Sequence, residues 1–268
     1  MSETISLETD KILAEVDDSI GWMTFNHPER RNAINLAMWQ GIGDAFEAFQ
    51  NRDDVRVVVM KGAGGKAFAS GADISEFDQH RANAEQRKHY GATSARGNHW
   101  LSSLGKPLIA MIDGFCIGGG LAVALNADVR FATPASRFGI PAAKLGLGYE
   151  YGGIATLARL VGPSTTSDIL FSARFLEPDE ALSKGLINFV VEGDKLEQEV
   201  RSYAGLISAN APLTIRAAKA AVSAFERYTD VEAAKEISAL VDACFNSDDY
   251  KEGRRAFSEK RKPKFAGK

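Results

Sequence analysis

The chain has 268 residues, 45% of them hydrophobic and 25% charged, which is the composition of an ordinary globular protein of one large domain or one domain with an appendage. A net charge of −3 without a basic excess argues against a nucleic-acid partner, and no apolar run reaches the length of a membrane span. Two distant cysteines, Cys116 and Cys244, do not make a disulfide framework, and the first ten residues lack the basic and apolar regions of a signal peptide, so a cytoplasmic protein with buried free thiols is expected.

Lys11–Val16 and Ile20–Phe25 read as a hairpin turning at Asp17-Asp18-Ser19. His27–Asn32 reads as loop. Leu36–Asn51 carries Met38, Ile42, Phe46 and Phe49 at helical spacing. Val55–Met60 and Pro107–Ile112 read as buried strands. The first runs into the loop Gly62-Ala-Gly-Gly65 and the second into a glycine cluster and a helix through Ala127. The polar stretch Asp78–Arg96, followed by Gly97, reads as mobile and helical in part. Asp128–Ala132 and Ser136–Phe138 read as short strands. Beyond Pro141 the spacing predicts helices over Gly152–Val161, Pro163–Ser172, Pro178–Lys184, Leu196–Ala209, Pro212–Tyr228, Val231–Phe245 and Tyr250–Lys260, with Pro163, Pro178 and Pro212 at helix starts. The result is an α/β portion, 1–191, and a helical portion, 192–268, that packs on the core or on a neighbouring subunit.

Two segments carry the chemistry: Phe68-Ala-Ser-Gly-Ala-Asp-Ile74 and Gly114-Phe-Cys-Ile-Gly-Gly-Gly-Leu-Ala122. Each places small residues where an extended segment leads into a helix, and N–H groups at a helix start are unpaired donors at the positive end of the dipole. Two such donors aimed at one point would form an oxyanion hole. The bland alternative is that the glycines serve close packing. Gly118–Gly120 lacks the third glycine of a dinucleotide fingerprint, Gly62–Lys66 fails the phosphate-loop spacing, and there is no Gly-x-Ser-x-Gly elbow. His27, His80, His89 and His99 show no metal-ligand spacing; His80 or His89 could reach a pocket, and His27 reads as structural. Asp73 and Asp128 read as hydrogen-bond acceptors at turns or helix starts.

With these residues in place, the chain resembles the crotonase (enoyl-CoA hydratase/isomerase) family along nearly its whole length. The matching stretches run in order: His27–Asn35, Ala67–Ile74, Lys106-Pro107, Gly114–Gly120, Asn126-Ala-Asp128, Phe138-Gly-Ile-Pro141 and Glu252–Phe265. The resemblance implies a spiral of ββα turns with a C-terminal helical trimerisation region, assembled as a trimer or as a hexamer of two trimers. It implies an acyl-CoA substrate that carries its own CoA, with no separate cofactor and no metal. By motif position, the N–H groups of Ala72 and Gly119 would hold the thioester oxygen. Arg30, Asn32, Ala33, Ile34, Ala69, Gly71, Asp73, Ile74 and Lys260 would lie along the CoA. Lys260 belongs to the basic stretch Lys260-Arg-Lys-Pro-Lys264, whose plain reading is a solvated segment.

The sequence departs from a standard hydratase at two decisive places. The family's first glutamate stands at the second residue past Gly-Gly-Gly, here Ala122, and the second follows the proline of Phe-Gly-x-Pro, here Ala142. Alanine transfers no proton, so the two-glutamate mechanism cannot run. Glu150, in Leu145-Gly-Leu-Gly-Tyr-Glu150, is the acid/base candidate, near the position of a working aspartate in dienoyl-CoA isomerases and chlorobenzoyl-CoA dehalogenase. Its alternative is to face solvent or pair with Arg159. Tyr149 resembles a tyrosine of methylmalonyl-CoA decarboxylase, which has a histidine where this chain has Ala72; its alternative is a core aromatic. Isomerisation or decarboxylation through a thioester enolate is therefore expected ahead of hydration by Glu150, with a non-catalytic acyl-CoA-binding protein as the rival and RNA binding a distant third.

Overall fold

The computed structural model describes residues 2–73, 84–145, 151–226, 243 and 246–268. The chain opens with β1 (Glu3–Ile5), β2 (Ile12–Asp17) and β3 (Ile20–Phe25). β2 and β3 form the expected antiparallel hairpin, closed by Asp18 and Ser19 at φ +50° and +68°. Two consecutive left-handed residues give a turn whose twist matches that of the strands it joins. Helix α1 (Leu36–Gln50) starts where the Asn35 side chain accepts the Met38 N–H at 2.9 Å. Its predicted apolar face, Met38, Ile42, Phe46 and Phe49, is wholly buried.

From here the chain repeats one move. β4 (Val57–Gly62) is followed by β5 (Ala67–Ala69), β6 (Leu108–Ile112) by β7 (Phe115–Ile117), and β8 (Val129–Ala132) by β9 (Arg137–Gly139). The first strand of each couple joins a seven-stranded sheet of order β1-β2-β3-β4-β6-β8-β10, and the second joins a three-stranded sheet of order β5-β7-β9. All pairs from β3 onward are parallel. The two sheets thus advance together, one strand each per turn, which is the spiral of a crotonase-type α/β fold. Helices α2 (Ala84–Ser103) and α3 (Gly119–Ala124) lie in the crossovers, and β10 (Phe189–Val190) completes the large sheet.

The segment Asp78–Arg96, read as mobile and helical in part, is helical over its described residues, within α2. Gly97 is a packing residue: a Cβ there would stand 2.6 Å from the Trp39 carbonyl oxygen. Arg96 adds ion pairs to Asp44 and Glu47 of α1, each at 2.6 Å. The helix after the glycine cluster is also shorter than expected, ending at Ala124 rather than Ala127.

The helical portion follows as α4 (Tyr151–Ser172), α5 (Pro178–Ser183), α6 (Leu196–Ser208), α7 (Pro212–Glu226) and α8 (Asp248–Ser258). Helix α4 merges two predicted helices across Gly162, whose φ of +79° breaks the helix just before Pro163 starts it again. The helix predicted over Val231–Phe245 falls almost wholly outside the described residues. Helix α6, past residue 191, packs on the core. Leu196, Val200 and Ala204 pack on Trp22, Val57, Val59 and Ile109 of the large sheet. The Trp22 ring also meets the cations of Lys61 and Arg201, at 4.7 and 4.5 Å from its centre. Helix α7 is tied to the core by Lys219, which donates to the Lys106 carbonyl at 2.7 Å and the Asp128 carboxylate at 2.9 Å. Among the described residues, no helix is long and apolar enough to cross a membrane.

Candidate active site

The three strands of the small sheet run parallel and end side by side. β5 leads into Ser70-Gly71-Ala72, β7 into Gly118-Gly119, and β9 into Ile140-Pro141-Ala142. Backbone bonds fix these exits. Ile34 N–H donates to the Gly71 carbonyl at 2.7 Å, and Asp73 N–H donates to the Ile34 carbonyl at 2.9 Å. This bridge uses the groups on either side of Ala72 and leaves the Ala72 N–H outside it. Gly118 N–H donates to the Gly139 carbonyl at 2.8 Å, and Gly118 precedes α3 at φ +54° and ψ −119°, a conformation that favours glycine. Gly119 is therefore the first residue of the helix, and its N–H points out of the helix end without an intrahelical partner.

The two exits meet closely. A Cβ placed on Gly119 would stand 3.4 Å from the Ala72 nitrogen, and one on Gly71, at φ +117°, would stand 3.8 Å from the Gly119 nitrogen. Both nitrogens border one small volume. Among the described residues neither N–H donates to a protein acceptor. Both residues are partly exposed. Paired, unengaged, positively polarised donors at a surface opening can receive a developing negative charge on oxygen, because the protein has already fixed their direction.

A family profile described as Enoyl-CoA hydratase/isomerase matches residues 15–268. The chain belongs to the enoyl-CoA hydratase/isomerase family. It is 35% identical over 260 residues to a crotonyl-CoA hydratase of Syntrophomonas wolfei, covering 97% of this chain and 99% of that one. A short-chain-enoyl-CoA hydratase of Clostridium acetobutylicum is 34% identical over 96% of this chain and 97% of its own. A crystal structure of an enoyl-CoA hydratase/carnithine racemase from Magnetospirillum magneticum superposes with a TM-score of 0.90 at 39% identity, covering 97% of each chain. The protein is thus a crotonase-family enzyme of the acyl-CoA class.

Within that family frame, several of the residues expected along the CoA also shape the site. Asn32, at φ +56°, has no exposed surface. Its Oδ1 accepts the His27 N–H at 2.9 Å, and its Nδ2 donates to the carbonyls of Ala63 and Ala67 at 3.0 and 2.7 Å. Every polar group of the side chain is used, so it staples the loop 27–34 to β5 and offers nothing to a ligand. Ile34, Ala69 and Gly71 are likewise buried. The bridge at Ile34, the paired strand at Ala69 and the turn at Gly71 hold Ala72 in place. Arg30 is exposed and Ala33 partly so, while the Arg30 carbonyl accepts the Ala33 N–H at 3.1 Å. Asp73 is half-buried. Lys260 is exposed just past α8 at φ +53°.

Asn32→Ala removes three hydrogen bonds from a buried site. At about 1 kcal/mol each it is expected to lower stability by about 3 kcal/mol, read as a lower urea midpoint at unchanged slope. An unchanged midpoint would show that the loop is held by other means.

The acid/base positions follow the sequence. Ala122 sits partly exposed in α3 with its N–H bonded to the Gly118 carbonyl at 3.0 Å, and Ala142 is 8% exposed in the 3-10 turn Pro141–Leu145. Gly139, whose carbonyl orients Gly118, went unnoticed in the sequence as a positioning residue. Its signal was the Phe-Gly-Ile-Pro motif, in which a Cβ at Gly139 would stand 2.7 Å from the Arg174 carbonyl oxygen. Asp128 is structural, as read: its Oδ2 accepts the Leu108 N–H at 2.7 Å as well as Lys219. His27 is structural too, with Nε2 3.2 Å from Glu29 and Nδ1 3.4 Å from the Ala33 carbonyl oxygen. Cys116 is a buried free thiol, and burial pushes it well above the usual thiol range. Ile74, Tyr149, Glu150, His80 and Cys244 lie outside the described residues, as does the side chain of His89.

Proposed function

We propose that this enzyme generates or protonates a thioester enolate held by the N–H groups of Ala72 and Gly119, and that it isomerises or decarboxylates its acyl-CoA rather than hydrating it. The observation that carries the reading is the pairing of two unengaged donors with alanine at both positions, 122 and 142, where a hydratase needs a carboxylate. Hydration requires a group that activates water and another that protonates the α-carbon. Isomerisation needs one proton-shuttling group, and Glu150 is assigned that role, with Tyr149 beside it in sequence. Decarboxylation needs fewer still, because loss of CO₂ leaves the electron pair on the α-carbon and the oxyanion hole takes up the charge. The exposed Arg30 and Lys260 are assigned to the CoA phosphates, and the helical region to a trimer or a hexamer of two trimers.

A second reading rests on the relatives, two of which carry hydratase names at 34–35% identity. In that reading Glu150 alone activates water. A panel of malonyl, methylmalonyl, 2-enoyl and 3-enoyl thioesters separates the two. Turnover of a malonyl or 3-enoyl substrate above that of the 2-enoyl one supports the proposal; fastest hydration of a 2-enoyl thioester supports the alternative. Glu150→Gln is expected to cost isomerisation about 10²-fold or more. Full activity in that variant on the best substrate would remove Glu150 from the mechanism. An enzyme that binds CoA thioesters but neither turns over the panel nor exchanges the α-proton of a saturated thioester in heavy water would be a binding protein.

A further inference from the structure

A second concavity of about 320 Å³ lies between the end of α1, the segment Gly105–Pro107, the start of α7 and residues 266–268. None of its lining residues belongs to the candidate active site. Four cationic side chains line it, those of Arg56, Lys106, Arg216 and Lys268, with one acidic side chain, Asp53. Arg56 donates weakly to the Phe265 carbonyl at 3.4 Å. Among the described residues neither Arg56 nor Arg216 has a carboxylate partner. Arg52, Arg96 and Arg174, by contrast, each bind two carboxylates. Two guanidinium groups that line one cavity without a carboxylate partner repel each other unless an anion joins them.

We infer that this cavity is a binding site for a phosphate-bearing small molecule, with Arg56 and Arg216 as its guanidinium ligands and Lys106 in its lining. A dianion fits better than a carboxylate monoanion because it can engage both guanidinium groups of the lining at once. The arginine forks match phosphate oxygens in pairs. Lys106 provides a built-in reporter. Its Nζ is held by the carbonyls of Phe49 and Arg52 at the end of α1. Burial pushes its ammonium down to about 8, with repulsion from Arg56 and Arg52 working against the attraction of Asp53 and Asp54. Arg216 and Lys268 face the same cavity, and Lys219 is bound to the Lys106 carbonyl and Asp128. A bound dianion favours the charged form, so binding takes up protons near this pH, and affinity falls as pH rises through about 8.

Isothermal titration of the full chain with inorganic phosphate and with glycerol 3-phosphate, at matched ionic strength in chloride, tests the site and separates a free anion from a phosphate ester. The ester stays dianionic above about pH 7, so the pH arm from 7 to 9 reports on the protein. One saturable site is expected, weakened about tenfold or more in Arg216→Met and in Arg56→Met, each with an unchanged melting transition in ligand-free buffer. A fall in affinity between pH 7 and 9 in the parent, absent in Lys106→Met, is expected as well. Absence of saturable binding of either ligand up to about 10 mM, or equal affinity in the parent and both arginine variants, would overturn the inference.

Discussion

Gly119→Ala is expected to fold as the parent does and to lose catalysis. The added methyl meets nothing closer than 3.4 Å, and position 119 begins a helix with no left-handed backbone to oppose a side chain. Alanine even favours helix over glycine by up to about 1 kcal/mol. The atom nearest the new Cβ is the Ala72 nitrogen, so the methyl occupies the space in which a thioester oxygen would accept that N–H. The loss of one oxyanion donor costs about 3 kcal/mol of barrier, a fall in kcat of about 10²–10³-fold. Steady-state kinetics on the best thioester, together with a thermal melt, checks both halves. A variant with parental kcat would mean that the space between Ala72 and Gly119 is not where the carbonyl sits.

The neighbouring Gly120→Ala is expected to do the opposite. There the Cβ would stand 2.1 Å from the Ala69 carbonyl oxygen and 2.7 Å from its carbon. Both are backbone atoms of a buried strand, so no side chain can swing aside. Helix α3 must move away from β5, and the overpacking cost is about 3 kcal/mol or more. That corresponds to a fall in melting temperature of about 10 °C in a protein of this size, or to insoluble expression. A melt within about 2 °C of the parent would show that α3 and β5 are not packed as described. One residue apart, the two glycines separate the chemical role of the motif from its structural one.

The parts of this fold that were legible in the sequence are those whose signal spans enough residues to show a period. The hairpin at Asp17–Ser19, the apolar stripe of α1 and the proline-started helices after residue 141 all fall in that class. Of the three-residue strands that form the small sheet and build the site, β9 was read within one residue, as Ser136–Phe138, whereas β5 and β7 are too short to display alternation and escaped. Strands β1 and β10 escaped for the same reason. Helix α2 was legible only in part because much of what holds it lies outside itself, in Gly97 against Trp39 and Arg96 between two carboxylates of α1. The positions of Ala72 and Gly119 were legible only through the glycines around them, since the working groups are main-chain amides with no side-chain signature. Asn32 shows what a motif alone does not display: its burial and three bonds, which make its side chain part of the frame.

The central claim, that the amides of residues 72 and 119 polarise one thioester carbonyl, is tested most directly by carbon NMR of a bound, slowly reacting acyl-CoA labelled with ¹³C at its carbonyl. In the parent the resonance is expected to move downfield on binding, because two donors draw electron density toward the oxygen. In Gly119→Ala, which should still bind CoA through its nucleotide end, that shift is expected to collapse toward the free value. A carbonyl resonance in the parent that matches free thioester, or a full shift retained in Gly119→Ala, would contradict the account.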